Sequence, residues 1–498
     1  MTALAHFQPA DLSQEQRLSL AIRAFVLVKI VILLVLAVNT RFVMDEFWHF
    51  TQPVYLFDGT FEAIWPKKAV GYAVFYELSH LIGWDASSML ITGRLTTACL
   101  ALALTWCIYK CACALGYERV TALLAVALLL SFSNFIERGF RLRSEPLATM
   151  FAAFAVLVII RYEADRAKTL LIAGLLCGFA FVTTQKSVYF NFALGFALVI
   201  DAICMRSFTC AIKRGGLLIL GWAVAIVIYG ALLGGQAMLQ VLEVLFLGPV
   251  ELARNGGSYY EGLDAYVWQT LLRNPLQYGL VVVGFVLSVT RLRKLDNAAR
   301  IFLVYAVVLT AFVFFHNQTW PYVFAMALPF LAVYGAAAAT FFLRHSKRWT
   351  AIMVGVFIAI AVQSTVRNVQ YLNHDNRAQL ALVQFAEARL AKDDTYFDGI
   401  GMIPSRRMEP RLWLDAQGVR KTNEEGQNSA LYSALLGAEP HLVISTYRTD
   451  NLGDVFNSVL ETRYGFLTPH IMLPFETNLE LTPTKSERTP LFSGIYDD

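Results

Sequence analysis

LAIRAFVLVKIVILLVLAV (residues 20–38) runs directly into NTRFVMDEFWH (residues 39–49). A helix needs about 20 mainly apolar residues to cross hydrocarbon, and the first stretch meets that length. Lys29 and Arg23 interrupt it, and their long stems can snorkel toward the inner face. The run ends in Val38-Asn39-Thr40-Arg41, which lacks a small-x-small cleavage site, so the segment reads as a retained anchor. The second stretch then places two adjacent carboxylates, Asp45 and Glu46, where the helix leaves the bilayer, among aromatic rings.

The rest of the chain follows the same pattern. Of 498 residues, 57% are apolar or aromatic and 16% are charged, with a mean hydropathy of +0.53. A soluble domain carries about 25% charged residues, so a bilayer must take part of this chain. The shortage is uneven. Residues 1–370 hold 48 charged residues with a net charge of +10; residues 371–498 hold 30 with a net charge of −6. This division predicts a membrane domain, 1–370, followed by a small outer α/β domain, 371–498.

Eleven apolar segments are candidate crossings: 20–38, 88–109, 120–135, 146–160, 169–184, 188–205, 215–234, 276–290, 301–316, 321–343 and 349–366. Five connectors are strongly basic, among them Lys110 with Arg119, and Arg344 with Lys347 and Arg348. The positive-inside rule assigns these to the cytoplasm. The N-terminus is then inside. Residues 39–87, 136–145, 185–187, 235–275 and 317–320 lie outside, and an odd number of crossings puts the C-terminal domain outside too. The stretch from Val70 to Trp84 is too short and too polar to count, and reads as an interfacial helix.

All seven cysteines lie in the membrane part. Cys111-x-Cys113 lacks the partner pair a zinc site needs, so the cysteines read as small packing residues. No Gly-rich phosphate loop or zincin His pair occurs. The pI of 8.6 reflects inner-face Lys and Arg and gives no reason to expect nucleic acid.

Ionisable residues next to hydrocarbon are costly and call for a function. Here they gather on the expected outer side. The first outer loop holds Asp45, Glu46, then Trp65-Pro66-Lys67-Lys68. The second holds Glu137-Arg138-Gly139-Phe140-Arg141-Leu142-Arg143-Ser144-Glu145. The third is little more than Lys186; the fourth carries Tyr259 and Tyr260, and the last begins at His316. Carboxylates could deprotonate an acceptor, and Lys and Arg at headgroup depth could hold a phosphate leaving group. The plain alternative is an interfacial Asp-Glu pair in an aromatic belt, with the arginines paired to acids. Group transfer outside a membrane, away from nucleotide-sugar pools, suits a donor anchored in the bilayer.

These motifs, in this order, resemble the GT-C integral-membrane glycosyltransferases, in particular the group of lipid A aminoarabinose transferases and protein O-mannosyltransferases. The resemblance rests on Asp45-Glu46, Gly59-Thr60, Trp65-Pro66-Lys67-Lys68, Gly93-Arg94-Leu95, Arg141 to Pro146, Gly178 to Lys186, and Trp320-Pro321-Tyr322. Lys67-Lys68-Ala69 stands where the family has Lys-Pro-Pro, Glu145 where it has Asp, and Ser187-Val188 where it has Gly-Pro. The resemblance implies Asp45 as the base, with Glu46 and Glu145 as supporting acids. It implies Lys67, Lys68 and Lys186 as phosphate contacts, with Arg141 and Arg143 beside them. Some members hold a divalent cation at such carboxylates and others do not, so magnesium or manganese on Asp45, Glu46 and Glu145 stays open. The implied partners are a polyprenyl-phosphate sugar donor, a lipid, glycan or protein acceptor, and membrane lipid. The expected reaction is inverting sugar transfer at the outer face of a membrane, the bacterial inner membrane in the first place. A transporter or flippase, an oligosaccharide ligase or polymerase, and a non-catalytic homologue are the rival readings.

Overall fold

The structure is a computed structural model and describes residues 14–57, 68–233, 243–247, 264–315, 320–477 and 481–482. Each of the eleven apolar segments falls on a helix. They are α1 (Gln14–Asn39), α4 (Ala86–Ala114), α5 (Arg119–Ser131), α7 (Ser144–Arg161), α8 (Ala167–Thr183), α9 (Val188–Cys204), α10 (Phe208–Leu232), α12 (Pro275–Val289), α13 (Asn297–Phe314), α15 (Leu328–His345) and α16 (Lys347–Tyr371). The connecting helices are α2 (Met44–Phe57), α3 (Tyr72–Ile82), α6 (Ser133–Arg138), α11 (Asp264–Arg273) and α14 (Pro321–Ala325). Among the described residues seven helices are long and apolar enough to cross a membrane: α1, α4, α7, α9, α10, α13 and α16. An eighth span results if α11 and α12, bent by 91°, count as one. The protein is an integral membrane protein.

Water cannot drive helix association inside lipid, so close backbone approach must do it. Helices α8 and α10 show how. A Cβ on Gly174 would lie 2.1 Å from the Leu218 carbonyl oxygen, and one on Gly221 2.2 Å from that of Leu171. Gly178 adds a third contact, 2.7 Å from the Trp222 carbonyl. Gly174-x-x-x-Gly178 is thus a small-residue stripe read by its partner helix.

Beyond residue 371 the chain forms α17 (Arg377–Glu387), β1 (Thr395–Phe397), β2 (Arg407–Met408), α18 (Ala416–Glu425), α19 (Ala430–Ala438), β3 (Leu442–Ile444), α20 (Tyr447–Asp450), α21 (Asp454–Arg463), β4 (Tyr464–Phe466) and β5 (Ile471–Pro474). The strands make one mixed sheet, in the order β2-β1-β3-β5-β4. β1 lies parallel to β2 and β3, while β5 runs antiparallel to β3 and β4.

The sheet region does not stand apart. Its core is continuous with that of α2 and α3: Phe47, Tyr55 and Tyr76 belong to the same buried cluster as Tyr396, Ile403 and Ile444. Gln379 of α17 accepts from the Phe42 backbone N–H at 2.7 Å and donates to its carbonyl at 2.9 Å. The ends of α1 and α16 are stitched as well, by Arg41 N–H to His374 O at 2.7 Å and Asn376 N–H to Asn39 O at 3.0 Å.

Lys29 departs from expectation. Its side chain does not snorkel; it is fully buried and donates to Asn368 Oδ1 of α16 at 2.7 Å. A polar partner on the neighbouring helix removes the need to reach an interface.

Candidate active site

The Asp45-Glu46 pair opens α2, where the positive end of the helix dipole favours acids. Successive helical residues point about 100° apart, so the two carboxylates face different surroundings. Glu46 turns inward. Its Oε1 accepts from Arg94 Nε at 2.8 Å and from the Leu142 N–H at 3.1 Å. Its Oε2 accepts from Arg94 Nη2 at 2.7 Å, Arg141 Nη1 at 2.6 Å and the Val43 N–H at 2.9 Å. Burial alone would push its pKa up, but Arg94 and Arg141 outweigh it and hold the carboxyl down at about 2. Arg94 also donates to the carbonyls of Thr40 and Arg41, which ties the end of α1 to α4.

Arg141 is equally committed. It donates to Glu46, to the Arg41 carbonyl and, at 2.6 Å, to the Tyr371 hydroxyl. Glu46 and Arg141 therefore form a buried clamp that sets the loop ahead of α2.

Asp45 faces the other way. Its Oδ2 accepts from Arg143 Nη1. Arg143 Nε donates to Glu145 Oε2 at 3.2 Å, and Lys186 Nζ donates to Glu145 Oε1 at 2.7 Å. Tyr322 covers this row, with Arg143 Cζ at 3.6 Å and Lys186 Nζ at 4.3 Å from its ring centroid. The middle of the row is buried while its ends are open: Asp45 and Lys186 expose 30% and 31% of their side chains, Arg143 and Glu145 only 6% and 5%. Three helix starts and a short turn thus deliver an accessible carboxylate and an accessible ammonium to one place.

Burial pushes the Asp45 carboxyl up, but Arg143 and His49 outweigh it and its pKa lies below the ordinary value. The His49 ring packs 5.0 Å from Tyr72, and its Nδ1 lies 2.6 Å from the Asp45 carbonyl oxygen. Burial, reinforced by Arg143, lowers its pKa to about 4, so it is neutral at pH 7. Lys68 stands in the field of the same groups. Burial draws it down to about 8 against the opposing pull of Asp415 and Asp45.

Of the residues singled out in the sequence, Asp45, Arg143, Glu145 and Lys186 come together, with Lys68 in their electrostatic range. Glu46 and Arg141 form the supporting clamp. Lys67, Tyr259, Tyr260 and His316 lie outside the described residues. Gln379 and Tyr371 were not foreseen, because nothing in the sequence links them to residues some 230–340 positions away. Arg94 had a signal, a lone arginine inside an apolar helix. No three His, Cys, Asp or Glu side chains converge among the described residues. Asp45, Glu46 and Glu145 each hold an arginine or lysine where a cation would sit, so this donor set does not fit a divalent ion.

Residues 67–229 match the family model of dolichyl-phosphate-mannose-protein mannosyltransferases, and residues 420–473 match that of a domain of unknown function. ArnT from Cupriavidus metallidurans bound to undecaprenyl phosphate superposes with a TM-score of 0.63, covering 91% of this chain and 97% of that one at 11% identity. The chain has the GT-C fold. The chain is also similar to the Archaeoglobus fulgidus oligosaccharyltransferase complexed with zinc and sulfate, with a TM-score of 0.52 over 89% of this chain and 71% of that one at 11% identity. AglB from the same organism, in complex with an inhibitory peptide and a dolichol-phosphate, superposes with a TM-score of 0.53 at 10% identity over 93% and 75%. No curated protein matches the sequence. The mannosyltransferase match begins after Asp45 but includes Arg94, Arg141, Arg143, Glu145 and Lys186, so clamp and row fall mostly within it.

Proposed function

We propose that this GT-C chain transfers a sugar from a polyprenyl-phosphate-linked donor to a lipid, glycan or protein acceptor at the outer face of the membrane, with inversion. The observation that carries the reading is the ion-pair row with its two accessible ends, Asp45 and Lys186. Asp45 is ionised at neutral pH and accepts the proton as the acceptor oxygen or nitrogen bonds to the anomeric carbon. The bond from that carbon to the carrier phosphate breaks with its electron pair on oxygen. Lys186, Lys68 and Arg143 neutralise the charge that grows there. Glu145 positions Arg143 and Lys186 between the two tasks.

The structures similar to this chain hold a lipid phosphate in two cases, by their descriptions, and that supports the carrier class. A bound inhibitory peptide in one of them supports keeping protein among the acceptor classes. The test is mass spectrometry of envelope lipids and glycans from cells lacking the gene, complemented with wild type or Asp45→Asn. Wild type restores a sugar-modified product. The variant, at equal membrane abundance, is expected to lower the rate by about 10²–10⁴-fold, the usual worth of a general base. Full restoration by Asp45→Asn would remove Asp45 from the chemistry.

A further inference from the structure

A second cluster of charge lies far from the ion-pair row. A cavity of about 850 Å³ opens between α1, α4 and α5, and Arg23, Lys110, Arg119, Ser19 and Tyr109 help line it. Arg23 is sixteen residues before the end of α1 at Asn39, and Lys110 is sixteen after Arg94 on α4. At about 1.5 Å per residue both place the cavity about 24 Å from the Glu46 clamp. The hydrocarbon layer is about 30 Å thick. The cavity therefore lies toward the opposite leaflet, within side-chain reach of its headgroups.

Three arginines elsewhere at that end of the bundle are held by acids. Arg214 pairs with Asp165 and Asp201, Arg300 with Asp201, and Arg344 with Glu118. Among the described residues no carboxylate lies within ion-pair distance of Arg23, Lys110 or Arg119. Glu118, next to Arg119 in sequence, is taken up by Arg344. Arg119 also opens α5, so the helix dipole adds to the positive field. Apolar surface continues from the cations toward the bilayer centre or along its edge. Leu20 and Leu27 flank Arg23 on α1, and Trp106, 5.6 Å from Lys110 Nζ, precedes it by one turn on α4; all three are more than half exposed. A basic cavity floored by cations and bordered by lipid-facing side chains matches one ligand shape, an anionic head on an acyl tail.

We propose that this cavity binds the phosphodiester headgroup of an anionic phospholipid in the leaflet opposite the ion-pair row. The bound lipid joins the ends of α1, α4 and α5; toward the other side of the membrane Arg94 of α4 ties the end of α1 to the clamp.

The full-length protein in phosphatidylcholine nanodiscs, titrated with phosphatidylglycerol, tests this by native mass spectrometry and by Tm. One tightly held phosphatidylglycerol per chain and a rise in Tm are expected. Affinity should fall at least tenfold in the triple variant Arg23→Gln, Lys110→Gln, Arg119→Gln. Arg166→Gln, which removes an exposed cation paired with Glu163, should bind as wild type does. If the triple variant does not fold, the single exposed substitutions Arg23→Gln and Arg119→Gln should each weaken binding several-fold. Unchanged phosphatidylglycerol binding in these variants overturns the proposal. So does equal protection by millimolar inorganic phosphate, which would make this a free-phosphate site, or equal retention of phosphatidylcholine.

Discussion

A carboxylate that accepts five hydrogen bonds has little left to offer a substrate, and Glu46 is in that position while its neighbour Asp45 is not. Removing its charge strands two buried guanidiniums. Breaking a buried pair in this way typically costs about 3–5 kcal/mol, so Glu46→Gln should lower Tm strongly and reduce membrane abundance. Asp45→Asn should leave Tm near wild type and lower turnover by about 10²–10⁴-fold; measuring both quantities on both variants separates clamp from chemistry. The pH dependence of Glu46 has a definite sign. Its folded pKa of about 2 is depressed below 4.5, so its contribution is complete above pH 4.5 and is lost as pH falls toward 2. Lys68 acts at the other end of the scale. With a pKa of about 8, it loses the charge that attracts the donor phosphate as pH rises through 8. The ratio kcat/KM, which reports the free enzyme, should fall above pH 8. Lys68→Arg should keep it level to higher pH; an identical alkaline limb in that variant would sink the assignment.

Among the elements, α8 and α10 meet backbone to backbone. Because a Cβ on Gly174 or Gly221 would sit about 2 Å from a carbonyl oxygen, no rotamer change relieves Gly174→Leu or Gly221→Val; the helices must separate. Overpacking of this kind costs on the order of 1–3 kcal/mol, read as a lower Tm in detergent. Gly215→Ala and Gly216→Ala, which meet nothing within 4 Å, should be neutral. The short α3 reads equally well from sequence and structure. Its eleven residues expose Leu78, Leu81 and Ile82 while burying Tyr72 and Tyr76, the two-sided pattern of an interfacial helix.

At the scale of the whole molecule, the region beyond residue 371 braces the site. Gln379 holds both backbone groups of Phe42, three residues before Asp45, and Trp413 packs 5.3 Å from Trp48. Gln379→Ala leaves two buried backbone groups without that partner, worth about 1–3 kcal/mol. It touches no reacting atom, so kcat should drop with the donor KM little changed, and Gln379→Glu, which keeps only the acceptor, should recover part of it. An unaltered kcat in Gln379→Ala would mean the loop is held without the sheet region.

The apolar runs, the basic connectors and the crowding of charge after α1 were legible in the chain, because hydrophobic length and the cost of burying charge act locally along it. So were Asp45, Arg143, Glu145 and Lys186, which stand at helix ends beside hydrocarbon. Which of two adjacent carboxylates is clamped and which is open was decided only by tertiary structure. Partners from α4, the loop before α7 and α16 set that difference, and no spacing rule connects positions so far apart. The same holds for Lys29, whose partner Asn368 is supplied by a helix 339 positions further along the chain. It holds too for the sheet region, whose charge content marked it as water-facing while its apolar core merged with α2 and α3. Local sequence prescribes elements; long-range packing chooses which charged groups are silenced and which remain available for chemistry.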